Sequence, residues 1–375
     1  MDSYEQAIQV AISEWNSKEI IKPKIYGSVE KSENERRLKR FRQAFTWLHD
    51  LKLDGGRMLR MMRQLDTAAP AIVRQIERGC IKASLYQWNK IFHPDGKDSS
   101  SKECVGWLET MRFLVHQYEH WLVRKGIRPL PSWLEKGSRS VWLASLLAQE
   151  KPLNDKTYAY CLAYPLLDDY IDDPLVSEKA KSSLKNALLE GDPLPNSFPH
   201  KAVLQQCLET INISEIDNLG QALFSRMIYW ESEVHGNTLA TTANKAAYYV
   251  FALSYLIDSK LDQVEQQAKL ALALQLVDDL QDWQEDVAAG RTSVFTEIKS
   301  AEVYEQTVER LLACIQSLDH RWLIVSDFLS ATVIETVLMH STLLSDKSKA
   351  YLLSYYPFDH AVGISEQSIQ RLMNL

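Results

Sequence analysis

Residues 271–291 read ALALQLVDDLQDWQEDVAAGR, and the predicted fold follows from this stretch. Its first half is rich in Leu and Ala, which are good helix formers, and Gly290 near its end is typical of a helix stop. At about 100° per residue, five polar side chains fall within roughly one quarter of the circumference of this predicted helix. These are Gln275, Asp278, Asp279, Asp282 and Asp286. The adjoining arc is apolar and consists of Ala273, Leu276, Leu280, Trp283 and Val287.

An acidic arc of this kind is unfavourable to an isolated helix. Like charges four residues apart destabilise a helix by roughly 0.2–0.5 kcal/mol per pair, and acids near the carboxyl end oppose the helix dipole. A solvated acidic face is the simplest interpretation of such a run. The apolar arc beside it instead indicates partial burial. Buried carboxylates need partners, and metal ions are the usual ones.

A second acid-ended helix is predicted at 158–173, which reads YAYCLAYPLLDDYIDD. Its acids at helical spacing are Asp168, Asp169 and Asp172. Tyr164 lies one turn before Asp168 on the same face. Pro165 is expected to kink this helix, and Pro174 to end it. One such cluster is ambiguous. Two clusters, each at the carboxyl end of an apolar helix, together indicate a shared chemical role.

The composition predicts a mostly helical globular protein of the cytoplasm. The chain has 375 residues, is 46% hydrophobic and carries a net charge of −7, which gives no basic surface for nucleic acid. Its five Cys form no CxxC pair, and neither a signal peptide nor a transmembrane segment is apparent. The polar stretch 93–102 suggests an N-terminal helical extension at 1–100, which either forms a unit of its own or shares one core with the helical domain at 101–375.

Paired carboxylate clusters suit the departure of a diphosphate group. Mg²⁺ is usually held by a few carboxylates and completed by phosphate oxygens and water. Two facing clusters can therefore hold several Mg²⁺ ions around a diphosphate while an allylic C–O bond breaks. The carbocation that forms needs an apolar, aromatic pocket that excludes water. Such a pocket is expected one to two turns deeper than the acids, where Tyr164 lies.

These motifs resemble those of the class I isoprenoid synthases, which include prenyltransferases and terpene cyclases. Residues 168–172, DDYID, resemble the first DDxxD motif of that family, and 275–282, QLVDDLQD, resemble its QxxDDxxD motif. Residues 282–286 followed by Gly290 and Arg291 also resemble the DxxED…GR of squalene and phytoene synthases. Residues 245–251, KAAYYVF, are similar to the Lys-containing stretch of prenyltransferases. The resemblance implies an all-α helical bundle with the active-site cavity between helices.

The resemblance also assigns roles to residues of this chain. The expected Mg²⁺ ligands are Asp168, Asp169, Asp172, Asp278, Asp282 and Asp286. The expected diphosphate contacts are Lys245, Arg291, Gln275 and Arg226, although a surface ion pair explains Arg226 equally well. The expected cavity residues are Tyr164, Tyr248, Tyr249 and Trp230, for which ordinary core packing is the alternative.

The expected function is that of a terpene synthase, which ionises a linear prenyl diphosphate with Mg²⁺ and releases diphosphate. A homodimer is an open option. A prenyltransferase, either chain-elongating or head-to-head, is the alternative enzyme. The chain lacks the RRG that follows the first motif of chain-elongating enzymes, and Ala246 replaces the Thr that follows the motif Lys. A helical scaffold that has lost activity is the non-enzyme alternative, and retention of both acidic clusters argues against it.

Overall fold

The computed structural model describes most of the chain from residue 153 onward and part of the chain before it. The described residues are 1–17, 22–34, 118, 121–127, 137, 140–141, 143–144, 147–148, 153–173, 175–190, 193–196, 198–232, 238–257, 263–319, 322–340 and 343–358. The segments 36–51 and 58–78, in which apolar residues recur at the three- and four-residue spacing of a helix, lie outside them. So does the predicted boundary near residue 100, which therefore stays a prediction.

The regular structure of the described residues is helical, without a strand, and this confirms the all-α class. The helices are α1 (Asp2–Trp15), α2 (Asp155–Asp172), α3 (Glu178–Glu190), α4 (Lys201–Ile211), α5 (Asn218–Ser232), α6 (Thr238–Ile257), α7 (Val264–Gln281), α8 (Trp283–Ala289), α9 (Ala301–Gln316), α10 (Leu323–His340) and α11 (Asp346–Leu353). A short 3₁₀ helix, Ile213–Glu215, precedes α5. Within these described ranges, no helix is long and apolar enough to cross a membrane.

The chain divides into two compact units. Unit 1 comprises Met1–Lys39, Val234–Val250 and Asp262–Leu375. Unit 2 comprises Arg40–Glu233 and Phe251–Leu261. The first acidic motif therefore belongs to unit 2, and the second belongs to unit 1.

In unit 2, α2 packs against α4 and α5, and α3 packs against α5. Asn154 begins α2, because its side chain accepts a hydrogen bond from the backbone N–H of Thr157 at 2.9 Å. The Nδ2 of Asn154 also donates to the carbonyl of Leu256 at 2.7 Å, which ties the start of α2 to the end of α6. α2 continues through Pro165 and ends at Asp172. Its end agrees with the prediction from Pro174, since a residue before proline favours the extended backbone.

In unit 1, α7 packs against α1, α9 and α10. Its buried residues include a continuous run, 267–273, and then Leu276, Val277 and Leu280. Within that run the ammonium of Lys269 contacts carboxylates of Glu14 at 2.8 Å and Glu265 at 3.0 Å. This ion pairing allows a lysine to lie in a helix that is otherwise buried on most sides.

The spacing of apolar residues predicts a single helix over 261–289, but the structure has two helices here, α7 and α8, which meet at Asp282. Backbone hydrogen bonds Asp282 N–H to Asp278 O (2.9 Å) and Asp286 N–H to Asp282 O (2.8 Å) continue the helical pattern across the junction. Gly290 ends α8 with a φ of 68°, as its sequence position predicts. The apolar arc is buried as far as Leu280, but its last member, Val287, is 56% exposed, so that part of the prediction is wrong.

Candidate active site

The second acidic motif contains one carboxylate with a distinctive environment, that of Asp279. Its Oδ1 accepts a hydrogen bond from Gln275 Nε2 at 3.1 Å. Its Oδ2 is buried and accepts none from the residues that the structure describes. Burial, together with the nearby charges of Asp278 and Asp286, raises the pKa of Asp279 to about 7, although Gln275 and Lys245 act in the opposite direction. Near neutral pH, this carboxyl either holds a proton or needs a cation beside it.

Two predicted diphosphate contacts lie near this carboxylate. Gln275 donates the hydrogen bond to Asp279, and the positive charge of Lys245 on α6 acts on Asp279 electrostatically. Unit 1 thus brings Lys245, Gln275 and the second acidic motif together. The sequence resemblance had put Asp278, Asp282 and Asp286 forward as ligands, but had not put Asp279 among them.

The remaining acids of the second motif differ in burial. Asp278 and Asp282 are exposed, whereas Asp286 is only 9% exposed. Asp286 Oδ1 accepts a hydrogen bond from Arg291 Nε at 2.6 Å, and the backbone N–H of Arg291 bonds to Asp286 O at 2.9 Å. The αL turn at Gly290 directs the chain back to make this pair. Arg291 therefore neutralises an expected metal ligand, a role the sequence did not predict for it.

The first acidic motif occupies the last turns of α2. Asp169 is exposed, and Asp168 is partly buried beside Tyr164. The side chain of Asp172 lies outside what the structure describes. The exposed position of Asp169 suits a ligand that meets its metal together with a substrate from solvent.

A narrow cleft in unit 2 lies between α2, α3 and α5, next to Asp168. Its apolar walls are Leu167, Ile171, Leu184, Leu188, Met227 and Ile228. Its polar side chains are Tyr164, Asp168, Lys181, Lys185 and Glu231. The cleft is tight, with room for about one water molecule, so a prenyl chain enters only if side chains turn aside.

Tyr164, the aromatic residue expected one turn below the acids, lines this cleft. Its hydroxyl donates to Glu231 Oε1 at 2.5 Å, and its ring lies 6.2 Å from that of Tyr160. Burial, and then the negative charges of Glu231 and Asp168, raise the pKa of Tyr164 well above its ordinary value. The hydroxyl thus keeps its proton and remains the donor.

The other predicted contacts are more dispersed. Tyr248 is buried and Tyr249 half-buried on the unit 1 part of α6. In unit 2, Trp230 is half-buried with its ring edge-on to Tyr229 at 5.6 Å, and Arg226 is exposed. None of these four residues lines the cleft described above.

The sequence analysis missed Glu231, Lys181 and Lys185. A signal for Glu231 was present: apolar residues recur along α5 at 223, 224, 227 and 228, and Glu231 continues that three- to four-residue spacing. Its carboxylate was therefore to be expected on the buried face. No comparable signal marks the two lysines, because their direction depends on how α3 packs against α5.

The described residues do not form a complete metal-binding site by themselves. Among its described residues, no group of three or more His, Cys, Asp or Glu side chains is close enough to hold a metal ion. The donor chemistry nevertheless fits Mg²⁺, because Asp279 offers a buried carboxylate oxygen with no hydrogen-bond donor among those residues. Mg²⁺ commonly takes one or two protein carboxylates and completes its shell with phosphate and water.

Comparison with known proteins identified no relative: no family model, no curated protein and no solved structure matches the chain.

Proposed function

We propose that this chain is a class I terpene synthase, which converts a linear prenyl diphosphate into a terpene hydrocarbon or alcohol and releases diphosphate. The observation that carries the proposal is Asp279, a largely buried carboxyl at the end of an apolar helix, with one oxygen unpaired within the described structure. A carboxyl held in this way is costly unless a cation accompanies it. The motif resemblance implies that this cation is Mg²⁺ bound together with a diphosphate.

Each acidic motif has a distinct part in this proposal. Asp168, Asp169 and Asp172 would hold Mg²⁺ in unit 2, and Asp278, Asp279, Asp282 and Asp286 supply the candidate ligands in unit 1. Bound Mg²⁺ would supply the positive charge that stabilises the departing diphosphate. Lys245 would bind diphosphate directly, since its positive charge lies near enough to Asp279 to act on the pKa of that carboxyl. The apolar walls of the unit 2 cleft would exclude water from the carbocation.

A prenyltransferase is the second candidate, and one observation favours it. Chain elongation needs cations for a second diphosphate, and the sequence shows none at the usual place after the first motif. The structure places Lys181 and Lys185 of α3 in the cleft beside Asp168. These lysines are a candidate second set of diphosphate contacts.

One incubation series separates the two candidates. The protein is incubated with Mg²⁺ and geranyl, farnesyl, geranylgeranyl or geranylfarnesyl diphosphate, with and without isopentenyl diphosphate. Released diphosphate is quantified, and products are identified by gas chromatography–mass spectrometry after phosphatase treatment. A hydrocarbon or alcohol formed without isopentenyl diphosphate, above a no-enzyme control, supports the terpene synthase. A longer diphosphate formed only with isopentenyl diphosphate supports the prenyltransferase, and no turnover in either series refutes both.

Substitutions link the activity to the acids. Asp169→Asn and Asp282→Asn change exposed carboxylates, so the fold should be unaffected while turnover falls by at least about 100-fold. Glu302→Gln is the matched control, because Glu302 is an exposed acid in the first turn of α9 and belongs to neither motif. Full activity in either Asp variant would refute the metal assignment.

A further inference from the structure

Asp286 and Arg291 form an ion pair inside the second acidic motif. Arg291 Nε donates to Asp286 Oδ1 at 2.6 Å, and the backbone N–H of Arg291 donates to Asp286 O at 2.9 Å. The backbone bond closes the turn at Gly290 after α8, so it holds the backbone of Arg291 in place independently of its side chain. The guanidinium can therefore leave the carboxylate without a change in the helix.

The paired carboxylate belongs to the charged site around Asp279. The negative charge of Asp286 acts on the pKa of Asp279, as that of Asp278 does. Asp279 also holds a buried Oδ2 that accepts no hydrogen bond from the residues that the structure describes. Carboxylate oxygens are the ligands that Mg²⁺ prefers. One acid of this candidate Mg²⁺ site is thus already occupied by a cation of the chain itself.

The two partners of this ion pair differ in exposure. The side chain of Asp286 is 13% exposed, whereas that of Arg291 is 51% exposed. Such a pair contributes little to stability, because water solvates the guanidinium when the pair opens. Lys269 in the same unit is a contrast, since its side chain is 10% exposed and contacts two carboxylates, those of Glu14 and Glu265. The Lys269 pairs suit a permanent structural role, and the Arg291 pair suits one that opens.

A guanidinium and a metal ion compete for the same carboxylate. Each neutralises the charge of Asp286, and the two cations repel each other when both are near it. A bound diphosphate removes this competition, because its oxygens accept charge-assisted hydrogen bonds from a guanidinium. Metal binding and diphosphate binding are then coupled through one side chain.

We propose that Arg291 occupies Asp286 in place of Mg²⁺ until diphosphate binds, and then transfers to the diphosphate and opens this carboxylate to the metal. This inference rests on the proposed function, which supplies both the diphosphate and Mg²⁺. The motif resemblance makes Arg291 a phosphate contact only, whereas here the same side chain also sets when the metal site opens. No covalent bond changes in this step, since one hydrogen-bonded ion pair replaces another.

Metal binding without diphosphate is the first test. Mn²⁺ serves as the probe, because it shares the oxygen ligands of Mg²⁺ and its electron paramagnetic resonance signal reports the free ion. Arg291→Gln should bind Mn²⁺ about tenfold more tightly than wild type, which is the effect of one positive charge on a divalent ion a few ångströms away in a water-like dielectric. Lys347→Gln, which removes an exposed lysine of α11, should retain the wild-type affinity. Equal or weaker Mn²⁺ binding by Arg291→Gln overturns the proposal.

A double-mutant cycle ties this effect to the carboxylate of Asp286. In an Asp286→Asn background the guanidinium has no carboxylate to occupy, so the further change Arg291→Gln should alter Mn²⁺ affinity by less than about threefold. A gain of the same size as in the wild-type background would overturn the role of the pair.

Diphosphate binding separates this inference from the proposed function. In excess Mg²⁺, isothermal titration calorimetry with inorganic diphosphate should show binding by wild type and about tenfold weaker binding by Arg291→Gln, which lacks the guanidinium donor. A merely structural role of Arg291 would weaken both metal and diphosphate binding, so opposite changes are the signature. Unchanged diphosphate affinity in Arg291→Gln overturns the transfer but leaves the terpene synthase intact. A wild-type protein that binds neither Mn²⁺ nor diphosphate, alone or together, refutes the proposed function itself.

Discussion

Replacing Asp279 with asparagine should change how the stability of the protein depends on pH. Burial and neighbouring acids raise the pKa of Asp279 from 3.8 to about 7. Between these two pH values, the folded protein holds a proton that the unfolded chain has released. The free energy of unfolding therefore falls as pH rises from about 4 towards 7, and this group contributes no further change above that.

The magnitude follows from the distance between the working pH and that pKa. At pH 5 the folded-state pKa lies two units higher, and each unit is worth about 1.4 kcal/mol. Asp279 should thus raise the free energy of unfolding of the wild-type protein by about 2–3 kcal/mol when the pH is lowered from 8 to 5. The Asp279→Asn variant should lack this increase. The new amide leaves a buried N–H unpaired, which costs about 1–3 kcal/mol at every pH. The pH-dependent difference between the two proteins is therefore the informative quantity.

Urea denaturation in EDTA at pH 5, 6, 7 and 8 measures this difference, because other titrating groups act equally on both proteins. The stability of Asp279→Asn relative to wild type should improve by about 2–3 kcal/mol from pH 5 to pH 8. Glu302→Gln is the control: its carboxylate is exposed and is not among the charges that act on Asp279, so its difference from wild type should vary by less than about 0.5 kcal/mol. Parallel curves for Asp279→Asn and wild type would refute the burial of this carboxyl.

Further predictions concern ligand binding and the helix ends. Mg²⁺ with inorganic diphosphate should raise the melting temperature in a concentration-dependent way, while an inactive scaffold would show no shift. Gly220→Ala should lower the free energy of unfolding by about 1–3 kcal/mol in urea denaturation, because its Cβ would lie 2.0 Å from a methyl group of Ile216. Gly27→Ala is the control: its Cβ would make ordinary contacts only, so stability should not change. Asn154→Ala should cost about 1–2 kcal/mol by the same assay, since it removes the cap of α2 and the bond to α6; an unchanged midpoint would contradict that role. Gly290→Ala should cost about 1–2 kcal/mol, because its φ of 68° is unfavourable for a residue with a Cβ, and circular dichroism should show the helix content nearly unchanged.

Local sequence patterns predicted the helices well wherever the decisive signal was itself local. The apolar period of α7, the glycine after α8 and the proline after α2 each act within a few residues, and the structure agrees with all three. The junction at Asp282 was not predictable, because the residues on either side keep a helical spacing and no Gly or Pro interrupts them. Val287 was misassigned for a related reason: periodicity gives the face of a helix but not where along its length the core ends.

The candidate site shows the same division between local and tertiary information. Acid spacing identified both motifs, but it could not rank their carboxylates, since burial depends on the elements that pack around them. Asp279 is nearly enclosed while its neighbour Asp278 is exposed, although the two are identical in the sequence pattern. The pairing of Arg291 with Asp286 likewise depends on the turn at Gly290, which brings the guanidinium back onto α8.

The two acidic motifs share a physical property that bears on function. Each places a carboxylate where the local sequence is apolar, and each therefore opposes the stability of its own helix or core. Natural sequences are otherwise locally consistent, so features that work against folding tend to mark functional sites. For Asp279 this opposition to stability is visible in the structure as a raised pKa and a buried carboxylate oxygen that accepts no hydrogen bond from the described residues. A cation would relieve this cost at Asp279, and under the proposed function that cation is Mg²⁺ bound together with the diphosphate group.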